Sequence, residues 1–333
     1  MSYYQWSTDK FIRIFVLTCI MCITLIGNIY IIFKLFFHHH RTRLQLFILN
    51  LAIGDLTICF CTMTSELFLL IYDQEWILGN IACKLILYIQ VVTLASTTFI
   101  NVAMTYDRYV AVCCPFRTCQ YSARIRFIII LCWLSSCIVA TPQLFIFQQS
   151  LLNGSLTKYR CESTGYTAEW QRRIYFTTFA TYVLVLPAIC MIVWYIKIIR
   201  IVYTSKKIWT QNINGQTTVL SSTFLTSPTK IKTVKLAMTI IVVFVVCWTP
   251  YMLITLIEIY FNNCFHKPSW LDGVLQTICF LQSGLNPFIY MAFNQGRKSS
   301  PAIIRAAAST LSQTSDRKNP RQQRGRRGSI LFY

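Results

Sequence analysis

Ionisable side chains stand inside long apolar stretches of this chain, where a lipid bilayer would ordinarily exclude charge. Asp55 lies midway along one apolar run, and the consecutive residues Asp107, Arg108 and Tyr109 close another. Ionisable groups inside a membrane are costly and usually functional. The second run begins near Cys83, 25 residues before Arg108. At about 1.5 Å per helical residue that spacing covers roughly 37 Å, about one membrane thickness, so we predict a chain that carries a signal across a bilayer.

Seven apolar runs must position these residues. The chain has 333 residues, of which 55% are hydrophobic and 13% charged, whereas a typical soluble domain carries about 25% charged residues. A helix of about 20 apolar residues crosses a hydrocarbon core, and the runs lack the alternation of barrel strands. We therefore predict an all-α bundle of seven transmembrane helices, called spans one to seven, over Phe11–Phe37, Leu44–Tyr72, Ile81–Cys114, Ile125–Phe147, Ile174–Tyr203, Ile231–Phe261 and Trp270–Phe293.

Three regions follow from these runs. Residues 1–10 are predicted to be an extracellular N-terminus, and residues 11–297 the seven-transmembrane domain. Residues 298–333 are polar, basic and rich in Ser, Arg and Gln. They are predicted to form a cytosolic tail that is disordered beyond a short amphipathic helix after span seven.

The net charge of +20 is distributed as in a membrane protein. Three basic residues follow span one, four surround the loop after span three, seven flank the loop after span five, and nine lie beyond span seven. Such an excess on one face marks the cytoplasmic side. We therefore predict a multi-pass plasma-membrane protein in lipid, with its N-terminus outside and its C-terminus cytosolic. The alternative, a membrane anchor with a nucleic-acid-binding tail, explains the charged loops less well, so no nucleic-acid partner is expected.

The positions of the fifteen cysteines relative to the spans predict which compartment each one occupies. Most lie inside spans, where cysteine behaves as a small apolar residue. Three of them, Cys83, Cys161 and Cys264, reach the predicted oxidising side. We predict a disulfide between Cys83, at the start of span three, and Cys161, in the longest outer loop, which leaves Cys264 over. The same loop carries an Asn-Gly-Ser sequon, so we predict glycosylation of Asn153.

The Asp-Arg-Tyr triplet is weak evidence when taken alone, but each of the seven spans carries a short motif, and the whole set is much stronger evidence. The motifs are Gly27-Asn28, Leu51-Ala52-Ile53-Gly54-Asp55, Asp107-Arg108-Tyr109, Trp133, Pro187, Cys247-Trp248-Thr249-Pro250 and Asn286-Pro287-Phe288-Ile289-Tyr290. Together they resemble the rhodopsin-like (class A) G-protein-coupled receptors over roughly residues 11–297. The resemblance implies a ligand cavity on the outer side and a cytosolic cleft that opens to a heterotrimeric G protein when span six swings outward.

The same resemblance assigns roles to individual residues. Pro250 lacks a backbone donor, so it kinks span six and supplies a hinge. Trp248 resembles the family's toggle aromatic beneath the ligand, and Phe244 its packing partner, although both residues could also be ordinary core. The remaining activation-switch and G-protein-coupling residues that the resemblance implies are Asn286, Pro287, Tyr290, Tyr195, Asp107, Arg108, Tyr109, Pro115 and Phe116.

A buried sodium pocket is also implied by the resemblance. Its residues here are Asp55, Thr97, Ser283 and Asn286, and oxygen ligands of this kind suit a hard cation. Gln282 departs from the commonest family pattern. No cofactor is expected apart from this allosteric sodium ion, and no nucleophile–base pair or phosphate loop indicates an enzyme.

One departure concerns the restraint on Arg108. Many family members pair this arginine with an acid at the base of span six, whereas the stretch from Lys230 to Lys235 contains three lysines and no acid. Arg108 is therefore expected to have only Asp107 as a partner, and the resting state is expected to be less firmly locked.

Finer similarity points to a peptide ligand. The stretches Tyr88–Val92 and Thr141–Phe147 resemble the vasopressin/oxytocin receptors and their neuropeptide S and crustacean cardioactive peptide relatives. Cys247–Tyr251 also fits the gonadotropin-releasing hormone receptors. Uncharged amides such as Gln90 and Gln143 suit peptide groups, although they could instead bond between helices. The expected ligand-binding residues are Glu66, Gln90, Gln143, Tyr251, Thr255 and Glu258.

Two carboxylates near the outer mouth suggest the charge of that peptide. Glu66 and Glu258 favour a basic or N-terminal cationic group, although Leu87 and Thr255 both differ from the vasopressin group. The alternative is a receptor for a non-peptide ligand such as an amine, or an orphan. An amine receptor, however, needs an acid where Gln90 stands. Serines and threonines of the tail predict a receptor kinase and arrestin as further partners.

Overall fold

A computed structural model describes residues 8–37, 42–114, 124–151, 157–211, 228–261 and 269–294. Pro115, Phe116, Asn153, Cys264 and the predicted amphipathic helix after span seven lie outside these residues. Residues up to Met291 belong to one compact unit, and residues 292–294 are the end of the last helix.

Seven helical spans occur among the described residues, close to the predicted runs. Spans one, three, six and seven are continuous helices, Thr8–Phe36, Gly79–Cys113, Pro228–Tyr260 and Ser269–Asn294. Span two joins Arg43–Thr57 to Thr64–Ile71 through a π-helical turn, Ile58–Met63. Span four joins Ile125–Ala140 to the short helix Gln143–Ile146. Span five consists of Glu169–Ala180, a π-helical turn Thr181–Val185, and Leu186–Gln211.

Two short strands complete the described part of the chain. Strand β1, Gln148–Leu151, pairs antiparallel with strand β2, Tyr159–Glu162, in the loop between spans four and five. The expectation of an all-α chain did not include this hairpin, because strands of four residues are too short to show a clear alternation.

Span seven is the most polar of the seven spans. Six helices in the described residues are long and apolar enough to cross a membrane, and they are spans one to six. Span seven has 26 residues, yet it carries Gln282, Ser283 and Asn286, which are all buried. The polar side chains therefore face the bundle, where other helices can satisfy them, and the spans pack as the predicted seven-helix bundle.

Span three packs against spans two, four, five and six. Its buried hydroxyls are satisfied locally, because Thr98 and Thr105 donate to the carbonyls of Leu94 and Asn101 at 3.0 and 2.8 Å. Such bonds to the preceding turn let threonine lie inside a helix without a partner on another element.

Glycines allow two close helix contacts. A Cβ on Gly27 would lie 2.7 Å from Cγ of Pro287, and a Cβ on Gly54 would lie 2.7 Å from Cγ2 of Thr97. Both distances are shorter than carbon atoms tolerate. The Gly-Asn and Gly-Asp pairs of the motifs are thus packing devices, which bring span one against span seven and span two against span three.

Replacing Gly27 by alanine is expected to destabilise the folded protein by about 1–3 kcal/mol, because the proline ring cannot bend away from the new methyl group. The melting temperature of purified protein measures this effect. Gly284→Ala is the matched control, since its nearest neighbour would be Oγ1 of Thr24 at 3.4 Å. Equal melting temperatures for the two variants would contradict the proposed contact.

Candidate functional site: two chambers and a switch

The β1–β2 hairpin is tied to the start of span three. Cys83 and Cys161 form the predicted disulfide, with Cα atoms 5.6 Å apart, which confirms that pairing. The hairpin is held further by the backbone N–H of Trp76, which donates to the carbonyl of Tyr159 at 2.8 Å. Asn80 accepts from the backbone N–H of Gln149 at 2.9 Å. We call the disulfide end of the bundle its outer end.

Burial affects a tyrosine in the loop after this hairpin. It raises the pKa of the Tyr166 hydroxyl well above its usual value, and the neighbouring Tyr175 acts in the same direction. The two rings lie 6.4 Å apart. Tyr166 therefore remains a neutral side chain, able to donate a hydrogen bond, at physiological pH.

A deep chamber lies between the helices toward the outer end. Its cavity volume is about 200 Å³, which suits a small group or one end of a peptide. Its wall is mainly apolar. Side-chain amides from spans three, four and seven interrupt that wall, and among the described residues they are Gln90, Gln143 and Gln276.

Hydrogen bonds fix two of these amides. Gln143 donates from Nε2 to the hydroxyl of Tyr175 at 2.5 Å, which links span four to span five. Its other amide atom, Oε1, is buried and accepts no hydrogen bond from any described residue. Gln90 donates from Nε2 to Oγ of Ser65 at 3.3 Å. Gln143 Oε1 is thus an acceptor that a ligand N–H could satisfy, since a buried polar atom normally has a partner.

An outer chamber with a cavity volume of about 450 Å³ adjoins the deep chamber. Tyr251, Thr255 and Gln276 line both, so the two chambers share one wall. The charged residues that line the outer chamber, as far as the structure describes them, are Arg13, Glu66, Glu258 and Asp272. With three carboxylates and one guanidinium, this lining is acidic.

The guanidinium of Arg13 lies within this acidic lining. Its Nη2 is 3.7 Å from Oε1 of Glu66, and it lies against span seven at Gly273, where even a Cβ would overlap it. Both Arg13 and Glu66 are less than one-third exposed. Arg13 thus offsets part of the charge of the three acids.

Trp248 forms part of the floor of the deep chamber. Its ring centroid is 6.5 Å from that of Phe244 and 6.4 Å from that of Tyr251, with the latter pair perpendicular. Its indole Nε1 donates to Oε1 of Gln282 at 3.3 Å. In the sequence Gln282 was noted only as a departure from the sodium pattern, whereas in the structure it joins span seven to Trp248 of span six.

A cluster of buried oxygens surrounds Asp55. Asn286 donates from Nδ2 to Oδ2 of Asp55 at 2.8 Å, and Asn28 donates to the backbone carbonyl of Ser283 at 3.2 Å. Several buried oxygens in this region have no hydrogen-bond partner among the described residues: Asp55 Oδ1, Ser283 Oγ, Asn286 Oδ1, Thr24 Oγ1 and Asn28 Oδ1. Thr97, also buried, donates to its own helix at 2.9 Å and keeps its oxygen lone pairs.

At the opposite end of the bundle, Asp107 is shared between two arginines. Its Oδ2 pairs with Nη2 of Arg108, and its Oδ1 is 3.0 Å from Nη1 of Arg43. The carboxylate is fully buried. Nε of Arg108 and the hydroxyl of Tyr195 are buried without a hydrogen-bond partner among the described residues.

The predicted site residues fall into groups. Gln90, Gln143 and Trp248 line the deep chamber, Glu66 and Glu258 line the outer one, and Tyr251 and Thr255 line both. Asp55, Ser283 and Asn286 lie together, and so do Asp107 and Arg108. Pro115, Phe116 and Asn153 lie outside the described residues, so those predictions stay predictions.

Sequence reasoning missed several residues of these groups, namely Arg13, Arg43, Asp272, Gln276, Gln282 and Tyr175. The polar residues of span seven were detectable as interruptions of an apolar run. Arg43 was counted only as one of the basic residues on the predicted cytosolic face, and nothing near it in sequence indicates a contact with Asp107.

Comparison with known families agrees with this architecture. The profile of the 7 transmembrane receptor (rhodopsin family) matches residues 27–290, which is most of the chain. The chain therefore belongs to this family of G-protein-coupled receptors and is a multi-pass membrane protein. It is a receptor and not an enzyme.

Individual relatives extend the comparison. A gonadotropin-releasing hormone receptor of Octopus vulgaris is 29% identical over 295 residues, 84% of this chain and 70% of the relative. A vasopressin V1b receptor of Mus musculus is 28% identical over 311 residues, 85% and 72% of the two chains. A neuropeptide S receptor of Macaca mulatta is 27% identical over 303 residues, 88% and 78% of the two chains.

Proposed function

We propose that this chain is a plasma-membrane receptor that binds an extracellular neuropeptide and activates a heterotrimeric G protein. The observation that carries the proposal is the pair of joined chambers, one lined by amides and the other by acids. Relatives named for peptide hormones support the peptide class. The N-terminus is extracellular and the C-terminus cytosolic in this proposal, as the basic loops indicate.

The two chambers suit different parts of one peptide. Amide side chains offer both donors and acceptors, so Gln90 and Gln143 match peptide groups at the buried end of the ligand. The acids of the outer chamber, Glu66, Glu258 and Asp272, favour a basic side chain or an N-terminal amine. A ligand that fills both chambers also touches spans six and seven at their shared wall.

The effect of ligand binding is transmitted to the cytosolic side through side chains in the middle of the bundle. Pressure on Trp248 acts on span seven through Gln282 and on span six through the aromatic contact with Phe244. Pro250 gives span six a weak point at this level. Outward motion of span six then frees Arg108 to turn toward Tyr195 and Tyr290.

A sodium ion fits the pocket around Asp55. The partnerless oxygens of Asp55, Ser283 and Asn286 are hard ligands, and Thr97 adds a hydroxyl. When bound there, the ion supplies positive charge that holds the carboxylate and span seven in the resting arrangement. We propose the ion as an allosteric one, with no other cofactor.

Further partners follow from the tail. Ser309, Thr310, Ser312, Thr314 and Ser315 form a hydroxyl-rich cluster beside basic residues. Phosphorylation by a receptor kinase would reverse the local charge and create a site for arrestin. Membrane lipid surrounds the exposed apolar faces of the spans.

The proposal is tested by a peptide screen on intact cells. Cells expressing the chain are treated with amidated peptides of the vasopressin, gonadotropin-releasing hormone and neuropeptide S types, and with biogenic amines, while calcium and cyclic AMP are recorded. A response to a peptide supports the proposal. A response to an amine and to none of the peptides would contradict it, and epitope tags accessible at both ends from the same side would contradict the orientation.

Replacing Glu66 by glutamine is expected to raise the half-maximal concentration of an activating basic peptide by about tenfold, or about 1.4 kcal/mol. The reason is the loss of one of the carboxylates that line the outer chamber. Dose–response curves measure the shift. Glu169→Gln is the control, because Glu169 lies exposed at the outer start of span five. An unchanged curve for Glu66→Gln would remove this residue from the site.

A further inference from the structure

Arg43 occupies an unusual place at the beginning of span two. Thr42 caps the helix, since its hydroxyl accepts from the backbone N–H of Gln45 and its own N–H donates to Oε1 of Gln45. This capping box fixes Arg43 as the first residue of the helix. A positive charge is unfavourable at this end, where the helix dipole is itself positive.

The direction of its side chain shows what Arg43 does there. A cation at a membrane surface would ordinarily extend to the lipid headgroups. The side chain of Arg43 is only 21% exposed, and its Nη1 lies 3.0 Å from Oδ1 of Asp107 on span three. Arg43 thus contributes to an ion pair between two spans.

The contact matters because Asp107 also holds Arg108. One buried carboxylate serves two guanidiniums, and its second oxygen pairs with Arg108. When a buried ion pair separates, the charge left without a partner is strongly destabilising. With Arg43 in place, Asp107 remains paired after Arg108 leaves it.

We propose that Arg43 is a positioning residue of the switch, which holds Asp107 so that Arg108 can leave and thereby favours the active arrangement. This inference rests on the proposed G-protein coupling. The Tyr195 hydroxyl has no hydrogen-bond partner among the described residues and can accept from the displaced guanidinium of Arg108, whose own Nε is also without a partner there. Arg43 therefore stabilises the active arrangement and not the resting one.

The test is a double-mutant cycle on the full-length receptor in lipid nanodiscs. Ligand-independent nucleotide exchange is measured with a panel of purified heterotrimeric G proteins. Arg43→Gln is expected to lower this activity by at least about threefold, because the active state now contains an unpaired buried carboxylate. Arg43→Lys is expected to restore much of it. Arg126→Gln, which removes an exposed cation at the start of span four, is the matched control.

The Asp107→Asn background separates this role from general damage. Once the carboxylate is gone, Arg43→Gln is expected to have no further effect, since the two changes act on one interaction. An equal loss in both backgrounds would overturn the proposal and indicate a structural role. A rise in activity for Arg43→Gln would also overturn it, because Arg43 would then restrain the resting state.

A second measurement does not depend on any G protein. Spin labels at positions 114 and 232 report the separation of spans three and six at their cytosolic ends. If a smaller fraction of Arg43→Gln receptors than of parent receptors has span six in the outward position, the proposal is supported. An equal or larger fraction overturns it. Failure of every G protein in the panel to respond to the parent receptor would count against the proposed coupling alone.

Discussion

Replacing Asp107 by asparagine is expected to raise ligand-independent G-protein activation about tenfold. The change removes the charge that pairs with Nη2 of Arg108, and a tenfold shift corresponds to about 1.4 kcal/mol, less than the cost of breaking many buried pairs. The base of span six carries lysines and no acid between residues 230 and 235. No carboxylate in that stretch can therefore take over the role of Asp107.

This activation is measured as nucleotide exchange per receptor at matched surface expression. Asp73→Asn is the control, because it removes an acid that pairs with Lys10 at 2.6 Å at the outer end. Basal activity equal to that of the parent would show that the Asp107 pair does not restrain Arg108. The prediction has the opposite sign to that for Arg43→Gln, although Arg43 and Asp107 belong to the same ion-pair cluster.

Removing the disulfide is the second change with a large expected effect. Cys83→Ser is expected to weaken peptide binding at least about a hundredfold and to destabilise the receptor by about 2–5 kcal/mol. The bridge closes a loop of 78 residues and holds β2 at the outer end of span three. Without it the hairpin is attached mainly by backbone hydrogen bonds such as that from Trp76 to Tyr159.

Radioligand binding and thermal unfolding measure these losses. Cys161→Ser and the double variant are expected to match Cys83→Ser, since each removes the same bond. Cys19→Ser serves as the control, because Cys19 is a free and exposed cysteine of span one. Normal binding by any of the disulfide variants would mean that the hairpin keeps its position without the bridge.

The sequence was sufficient for those features that depend on local pattern. Long apolar runs located the helices, and the prolines at 250 and 287 lie inside helices as expected. The π-helical turns in spans two and five were not predicted, because one extra residue in a turn leaves no mark in the hydrophobic pattern. The two strands were missed because four residues are too short to show a clear alternation.

Contacts between distant residues were harder to predict. Arg43 and Asp107 are 64 residues apart, and their pairing depends on how spans two and three cross. The outer chamber likewise collects Arg13 from span one and Asp272 from span seven, at opposite ends of the chain. Glu66 and Glu258 were predicted from their position near the outer mouth, and Glu66 also from its resemblance to the gonadotropin-releasing hormone group. The contact of Arg13 with Glu66 could be recognised only in three dimensions.

The polarity of span seven has a consequence for how the receptor is made. During synthesis this helix is the last to reach the lipid, and its amides find partners only on helices inserted earlier. Gln282 bonds to span six, Asn286 to span two, and the carbonyl of Ser283 to span one. If an earlier helix is misplaced, the polar side chains of span seven lack their partners, and cellular quality control can recognise the unpaired helix. Mutations in different spans would therefore cause the same defect, which is failed insertion of span seven.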